Sequence, residues 1–216
     1  MITVLVVDDH ELVRTGISRM LADITGFKVI GDACSGEEAL LLCRSLKPNV
    51  VLMDVKMPGI GGLEATRKLL RSAPDTKVIA CTACDDEPFP TRLMQAGAAG
   101  YITKGADLEE MVKAIKLVVA GQRYMSPDIA QTLALKSINP ASSQSPFDAL
   151  SEREMQIALM VVSCNKVQEI SDKLCLSPKT VNSYRYRVFE KLEITSDVEL
   201  TLLAVRHGML DAQAEV

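Results

Sequence analysis

The chain has 216 residues, of which 48% are hydrophobic and 24% are charged, and its formal net charge is −4. This length allows one large domain or two small ones with an ordinary globular composition, and the negative charge requires any nucleic-acid site to be local. The N-terminal run Ile2–Val7 is too short for a signal peptide and lacks its basic flank. No stretch approaches the roughly 20 apolar residues of a membrane span. We therefore expect a cytoplasmic protein with no membrane partner.

The six cysteines are expected to be buried, reduced thiols. Cys81 and Cys84 have the C-x-x-C spacing, but a structural zinc site needs a second pair of ligands. Neither the other cysteines nor the two histidines, His10 and His207, provide that pair. A thioredoxin-like redox role is the other open interpretation. Because Cys81 ends an apolar strand pattern, a structural thiol is favoured.

The first 120 residues alternate between strand and helix patterns. Strands are predicted at 2–7, 27–33, 50–54, 77–81 and 100–103, and helices at 11–23, 36–47, 62–72, 88–96 and 107–119. Five strands that alternate with five helices predict an α/β, flavodoxin-like, doubly wound parallel sheet. Between the fourth strand and its helix, Cys84–Pro90 carries three acidic residues and two prolines. This segment predicts a short acidic loop with a stiff entry into the helix.

The pattern changes after residue 120. Ser126-Pro127 can begin a short helix, and Ile138–Pro146 is polar and rich in Pro and Ser, as in an interdomain linker. We predict a first domain over 1–120, a linker with a short helix over 121–148, and a second domain over 149–216. The second domain has only helical patterns, with N-cap signals at Ser151, Ser177 and Ser196 and a stop at Gly208. A small all-α domain of this kind suits a helix-turn-helix or a generic bundle.

Five polar residues follow or end the predicted strands of the first domain. Asp8 and Asp9 follow the first strand, Asp54 ends the third, Thr82 follows the fourth, and Lys104 follows the fifth. Clustered carboxylates need a cation or a proton at neutral pH, and Mg²⁺ prefers oxygen ligands. A hydroxyl and an ammonium group beside them can hold the oxygens of a phosphoryl group on a nucleophilic aspartate. The alternative is that these residues are helix caps and surface charges, but their placement at one edge of the sheet favours a common site.

The first domain resembles the receiver domain of two-component response regulators. The resemblance is carried by Asp8-Asp9, Asp54 with Met57-Pro58 and Gly61-Gly62, Thr82-Ala83, and Gly100–Lys104. It implies that Asp54 accepts a phosphoryl group from a cognate sensor histidine kinase or a small phosphodonor. It also implies that Asp9 and Asp54 bind Mg²⁺ directly, that Asp8 assists, and that the backbone carbonyl of Lys56 completes the protein ligands.

The same resemblance assigns a switch to three further residues. Thr82 would move toward the phosphoryl group, Lys104 would pair with it, and Tyr101 would rotate inward into the space that Thr82 leaves. A half-buried strand aromatic is the structural interpretation of Tyr101, and it is compatible with this role.

From residue 149 onward the chain is similar to the LuxR-type helix-turn-helix of the NarL/FixJ subfamily. The matching residues are Leu150–Glu154 and Ile170–Val181. In the helix that follows Ser177-Pro178, residues on the outer face can reach base edges, and basic residues are concentrated as in a recognition helix. The predicted DNA contacts are Lys179, Thr180, Asn182, Ser183, Arg185, Tyr186, Arg187 and Lys191.

These patterns predict a phosphorylation-controlled transcription factor that binds double-stranded DNA and is not an enzyme. The last helix is more apolar than its own small core requires, which indicates a homodimer on DNA. An aspartyl-phosphate phosphatase is the enzymatic alternative, but Lys56 stands where the haloacid-dehalogenase pattern has a second acid. A protein-binding module is the third interpretation, and the basic residues between Lys179 and Lys191 oppose it.

Overall fold

The computed structural model describes residues 1–82, 89–138, 145–207 and 209. These residues form two units, one over 1–82 and 89–138 and the other over 145–207 and 209. Three features of the sequence lie wholly or partly outside the described residues, namely most of the acidic loop with Cys84, most of the Pro- and Ser-rich segment, and the predicted stop at Gly208. Among the described residues, no helix has both the length and the apolar character to span a bilayer.

The first unit alternates strands and helices. Its elements are β1 (Ile2–Val7), α1 (Glu11–Ala22), β2 (Phe27–Ala33), α2 (Gly36–Leu46), β3 (Val50–Asp54), α3 (Gly61–Ser72), β4 (Lys77–Thr82), α4 (Phe89–Gln95), β5 (Gly100–Thr103), α5 (Leu108–Val119), β6 (Tyr124–Met125) and α6 (Pro127–Ile138). The strand order is β2-β1-β3-β4-β5-β6, and every pairing is parallel. This confirms the doubly wound sheet predicted from the alternation of patterns.

The core of this unit lies on both faces of the sheet. On one face, β1, β3 and β4 pack against apolar residues of α1 and α5, including Leu21 and Ile115. On the other face, the same strands pack against α2 and α3, including Ala39 and Leu69. All five residues of β3 are buried, which explains its uninterrupted apolar run.

The sixth strand was not predicted. Tyr124 and Met125 pair with Gly100 and Tyr101 at the edge of the sheet. Two residues are too few to show an alternating pattern, so the sequence gives no strand signal there. The helix predicted at Ser126-Pro127 is present as α6, and it therefore begins immediately after a strand of the sheet.

The second unit contains a 3-10 helix at Pro146–Ala149, followed by α7 (Glu152–Val162), α8 (Val167–Leu174), α9 (Pro178–Leu192) and α10 (Asp197–Arg206). Its core joins Ile157 of α7, Ile170 of α8 and Val181 of α9. The three predicted serine caps are present, because each serine side chain accepts a hydrogen bond from the backbone N–H three residues later. The all-α fold is confirmed, and among the residues that the structure describes in this unit the 3-10 helix was not predicted.

The prediction that the cysteines are buried is only partly correct. Cys43 and Cys81 are buried, but Cys34, Cys164 and Cys175 are exposed. Cys175 ends α8 and Cys164 lies just after α7, both with positive φ angles. Residues in such turns lie at the surface, which accounts for the exposure of these two thiols.

Candidate functional site

Three carboxylates meet at the C-terminal edge of the parallel sheet. Asp54 is the last residue of β3, and Asp8 and Asp9 follow β1, its neighbour in the sheet. One side-chain oxygen from each lies within 4.8 Å of the others. Asp8 and Asp54 are buried. Arg14 of α1 holds the turn after β1 by donating hydrogen bonds to the carbonyls of Asp8 at 2.8 Å and of Asp9 at 3.2 Å.

Lys104 supplies the positive charge of this site. Its Nζ lies 2.6 Å from Asp8 Oδ2 and 3.0 Å from Asp54 Oδ2. The backbone N–H of Lys104 donates to the carbonyl of Thr82 at 2.6 Å, so the ends of β4 and β5 are joined at this point. Thr82, at the end of β4, is buried. The structure thus brings Asp8, Asp54 and Lys104 into direct contact at the predicted edge.

Burial perturbs the protonation of the site. It raises the pKa of Asp54 to about 6, although the Lys104 ammonium group opposes the rise and the Asp8 carboxylate adds to it. Burial alone would lower the pKa of Lys104, but its pKa is raised because Asp54 and Asp8 stabilise the ammonium form. The Lys104 ammonium group therefore helps to keep Asp54 ionised at neutral pH.

The chain turns sharply after Asp54. The backbone N–H of Lys56 donates to Asp54 Oδ1 at 3.3 Å. A Cβ atom on Gly62 would lie 2.0 Å from the backbone oxygen of Asp54, so only glycine fits the first turn of α3 there. This close packing keeps the main chain of the loop beside the carboxylate.

His10 is a potential functional residue that the sequence analysis did not assign. Its Nδ1 lies 2.9 Å from Asp9 Oδ1 and 3.3 Å from Asp8 Oδ1, and it belongs to the same group of potential metal ligands as the three aspartates. The signal was its position directly after Asp8-Asp9, but side-chain direction in a turn does not follow from sequence. Carboxylate and carbonyl oxygens are the donors that Mg²⁺ prefers, so the residues at this edge fit Mg²⁺ without His10.

Tyr101 has its side chain fully buried in β5, where the residue pairs with Ala80 of β4. A half-buried aromatic was the structural interpretation from sequence, and the observed burial is complete. Both proposed switch residues, Thr82 and Tyr101, are therefore inside the fold in this structure.

The predicted recognition helix is α9. Ser177 caps it and Pro178 occupies its first turn. The buried residues Val181, Val188, Phe189 and Leu192 form its inner face. The predicted DNA-contacting residues Lys179, Ser183, Tyr186 and Arg187 are exposed, and Thr180 and Asn182 are half-buried. The exposed side chains form a mixed polar, aromatic and basic surface.

The other two basic residues of α9 contact neighbouring elements. Arg185 Nε donates to Asp197 Oδ1 at 2.6 Å, and the pair is bidentate through a second contact to Asp197 Oδ2. Lys191 Nζ donates to Glu154 Oε2 at 2.7 Å and to the carbonyl of Ala149 at 3.1 Å. These contacts join α9 to α10 and α7. Two of the four basic residues of α9 are therefore exposed without such a carboxylate contact among the described residues, and two hold the helix against its neighbours.

Two family descriptions match the chain, "Response regulator receiver domain" over residues 4–116 and "Bacterial regulatory proteins, luxR family" over residues 148–204. The chain is 76% identical over 214 residues to the response regulator GacA of Pseudomonas viridiflava, covering 99% of this chain and 100% of that protein. It is 59% identical over 213 residues to the response regulator UvrY of Escherichia coli, covering 99% and 98%. The run Ser177–Arg187 resembles regulators of the GacA, UvrY and SirA type, and the GacA and UvrY relatives confirm this resemblance.

Solved structures agree. A LuxR-family two-component response regulator from an Aurantimonas species is 38% identical with a TM-score of 0.61, covering 63% of this chain and 98% of that chain. RcsB of Salmonella typhimurium shares the fold, with a TM-score of 0.73 at 22% identity over 95% of this chain and 97% of its own. Another RcsB structure is described as bound to the promoter rprA in the presence of the phosphomimetic BeF3⁻, with a TM-score of 0.72 at 22% identity over 95% of this chain and 99% of its own.

Proposed function

We propose, from the premise that this chain belongs to the response regulators that join a receiver domain to a LuxR-type DNA-binding domain, that phosphorylation of Asp54 controls its binding to DNA. The observation that carries this proposal is the position of Asp54. The residue ends the central strand β3 and is only 2% exposed, and its Oδ2 lies 3.0 Å from the Lys104 ammonium group. A buried nucleophile with an adjacent cation and further carboxylates is the arrangement that phosphoryl transfer requires.

Phosphoryl transfer to Asp54 can be described by bonds made and broken. An Asp54 carboxylate oxygen attacks the phosphorus of a phosphohistidine on a sensor kinase or of a small phosphodonor. A new O–P bond forms, the bond to the donor breaks, and the donor leaves with the electron pair and a proton from solvent. Lys104, released from Asp54 Oδ2, then pairs with the phosphoryl oxygens.

Asp9, Asp54 and the carbonyl of Lys56 are the residues that we propose to hold Mg²⁺, with Asp8 assisting. When bound, the ion neutralises the charge that develops on the transferring group. The raised pKa of Asp54 supports this assignment, since a group that resists ionisation gains most from an adjacent cation. His10 Nδ1 is close enough to Asp9 either to bind the same ion or to compete with the ion for the Asp9 carboxylate.

The switch that we propose uses the two neighbouring strands β4 and β5. The Thr82 hydroxyl would turn toward the phosphoryl group, and Tyr101 would occupy the space behind it. The backbone hydrogen bond from Lys104 to Thr82 supports a coupled movement of these strand ends. The full burial of Tyr101 matches the inward position that this switch assigns to it.

DNA contacts are proposed for the outer face of α9. The exposed Lys179 and Arg187 suit phosphate contacts, and Asn182, Ser183 and Tyr186 suit contacts to bases in the major groove, with Thr180 at the helix N-terminus. Arg185 and Lys191 were predicted to contact DNA, but their contacts with Asp197 and Glu154 suit them better to holding the helix in position.

A homodimer on DNA is proposed through α10. Val198, Leu202 and Val205 recur at helical spacing on this helix and are 69%, 54% and 39% exposed. An apolar stripe of this kind on a short surface helix is suited to an isologous contact with a second copy. Such a contact would place two α9 helices on a two-fold DNA site.

The proposed function can be tested by DNA binding with and without acetyl phosphate and Mg²⁺, with intact mass measured in parallel. We expect one phosphoryl addition and tighter binding for the wild type, and neither change for Asp54→Asn. The matched control is Asp75→Asn, an exposed aspartate between α3 and β4, which should behave as the wild type. Phosphorylation of Asp54→Asn, or equal DNA binding by the phosphorylated and unphosphorylated wild type, would contradict the proposal. Multiple turnover of a phosphoester would instead support the enzymatic alternative.

A further inference from the structure

The loop between β3 and α3 includes Lys56, whose backbone N–H donates a hydrogen bond to Asp54 Oδ1. The loop contains Gly59, which has a φ angle of +83°, and it leads into Gly61, the first residue of α3, which has a φ angle of +68°. Glycine reaches such angles without strain, but it also leaves the chain free to adopt others. A loop of this composition therefore needs an external contact to hold one conformation.

Glu37, in the first turn of α2, makes such a contact. Its Oε1 accepts a hydrogen bond from the backbone N–H of Ile60 at 3.2 Å. A Cβ atom on Gly59 would lie only 2.6 Å from Oε1 and 2.7 Å from Oε2, so the carboxylate lies directly against the loop backbone. Both loop residues next to α3 are thus in contact with one side chain.

The start of α2 is packed closely enough to make this contact firm. A Cβ atom on Gly36 would lie 2.8 Å from the Cβ of Ala65 in α3 and 2.9 Å from Cγ1 of Ile60. Ile60 itself is buried in the core between these helices. Because α2 cannot move away from the loop without opening this core, the position of Glu37 is fixed by the fold.

The chemistry of Glu37 is unusual for a residue with a purely structural role. Its Oε2 is buried, and it has no hydrogen-bond partner among the described residues. An unsatisfied carboxylate oxygen costs stability, which an apolar side chain in the same place would avoid. The presence of a carboxylate at this position is therefore better explained by its contact with the loop backbone than by a contribution to the stability of the core.

We propose that Glu37 is a positioning residue for the phosphoryl-transfer site. By holding Ile60 and Gly59, it orients the loop so that the Lys56 carbonyl can reach Mg²⁺ and the Lys56 N–H can reach Asp54. This inference rests on the proposed function of Asp54. Substitution of a residue that orients a metal ligand from outside the coordination shell commonly changes metal affinity by about 10-fold to 100-fold.

The test is an NMR titration of the full chain with Mg²⁺, followed at the backbone amides of Lys56 and Ile60, together with the rate of phosphorylation by acetyl phosphate. For Glu37→Ala we expect Mg²⁺ to bind about tenfold more weakly, with a rate that recovers when Mg²⁺ is raised to saturation. Glu37→Gln keeps an oxygen that can accept from Ile60, so its Mg²⁺ affinity should stay close to that of the wild type.

Glu38→Ala is the matched control. It removes the same charge from the same turn of α2 and also loses a hydrogen bond, because Glu38 Oε2 accepts from the backbone N–H of Cys34 at 2.8 Å. Its Mg²⁺ affinity should remain near that of the wild type. Equal weakening by Glu38→Ala and Glu37→Ala would overturn the inference, since charge or helix stability would then explain the effect.

Two further outcomes are distinguished by the same experiment. If the wild type neither binds Mg²⁺ nor becomes phosphorylated, the proposed function of Asp54 is wrong. If the wild type does both and Glu37→Ala is unchanged, only the role of Glu37 is wrong. Should Glu37→Ala not fold, Glu37→Asp keeps the charge but withdraws the carboxylate from Ile60, and it must then weaken Mg²⁺ binding for the inference to stand.

Discussion

Alanine substitutions in α9 are expected to separate its four basic residues into two classes. Lys179 and Arg187 are exposed, so their loss should weaken DNA binding and leave folding nearly unchanged. Arg185 and Lys191 contact other helices, so their loss should reduce stability and leave the salt dependence of DNA binding unchanged. The salt dependence should stay the same for these two residues because a side chain that is paired with a carboxylate does not neutralise a DNA phosphate.

The magnitude for the exposed class follows from counterion release. Each phosphate contact contributes a slope of about 0.9 to the fall of log affinity with log salt. Over a fourfold rise in salt, from about 50 to 200 mM, one contact accounts for a factor of 4 to the power 0.9, or roughly 3.5. Lys179→Ala and Arg187→Ala should each lower the slope by about one unit.

The magnitude for the paired class follows from the contacts that are lost. The bidentate pair of Arg185 with Asp197 is partly exposed, so its removal should cost about 1 kcal/mol. Lys191 pairs with Glu154, which is almost fully buried. Leaving a buried carboxylate without this donor should cost about 2 kcal/mol.

The assay is fluorescence anisotropy on a short DNA duplex across this salt range, with stability measured by urea denaturation of the same samples. Ser183→Ala is a control that removes an exposed polar group and no charge, and it should keep the wild-type slope. A drop in slope for Arg185→Ala equal to that for Lys179→Ala would refute the reasoning, because Arg185 would then leave Asp197 to contact phosphate.

Three further predictions concern the receiver. Burial raises the pKa of Asp54 to about 6, so the metal-free fold should lose stability as pH rises from near 4 through 6, because Asp54 must then ionise in its buried position. The apparent Mg²⁺ affinity, measured by titration, should fall about tenfold per pH unit below 6, because protonated Asp54 does not bind the ion. An affinity that is flat across this range would contradict the assignment of Asp54 as a ligand. Gly62→Ala should destabilise the fold by about 3 kcal/mol in urea, since its Cβ would overlap the backbone of Asp54, and an unchanged midpoint would show that the turn can relax. Glu110→Ala should lower the free energy of unfolding by about 2 kcal/mol and speed amide hydrogen exchange near β6. The reason is that Glu110 Oε1 accepts hydrogen bonds from the Tyr124 hydroxyl at 3.0 Å and the Ser126 hydroxyl at 2.6 Å. Unaltered exchange would argue against this anchor.

The features that sequence predicted well are those with local causes. The apolar run of β3 is covered on both faces of the sheet and ends at Asp54, and parallel strands place their C-terminal ends at one edge. That rule alone predicts that Asp8, Asp54 and Lys104 lie together, and the structure places them in contact. The serine caps of the second unit are equally local, because cap and partner lie within one helical turn.

The features that sequence did not predict depend on distant partners. The charge of α9 was visible in the sequence, but the partner of Lys191 lies 37 residues away and that of Arg185 lies 12 residues away. No short-range pattern distinguishes a lysine that contacts Glu154 from one that faces DNA. Glu37 is a similar case, since its contact with Ile60 spans 23 residues and depends on how α2 and α3 pack.

The pairing of β6 with β5 has a practical consequence for dividing the protein into parts. A fragment that stopped at residue 120, the boundary predicted from sequence, would lose Tyr124 and Met125 and expose the backbone of β5. It would also lose the hydrogen bond from the Ser126 N–H to the carbonyl of Tyr101, beside the proposed switch. An uncovered strand edge favours pairing with other chains, so such a fragment would self-associate because of the cut and not because of phosphorylation. A fragment that continues through α6 would keep its native edge and would report on the receiver itself.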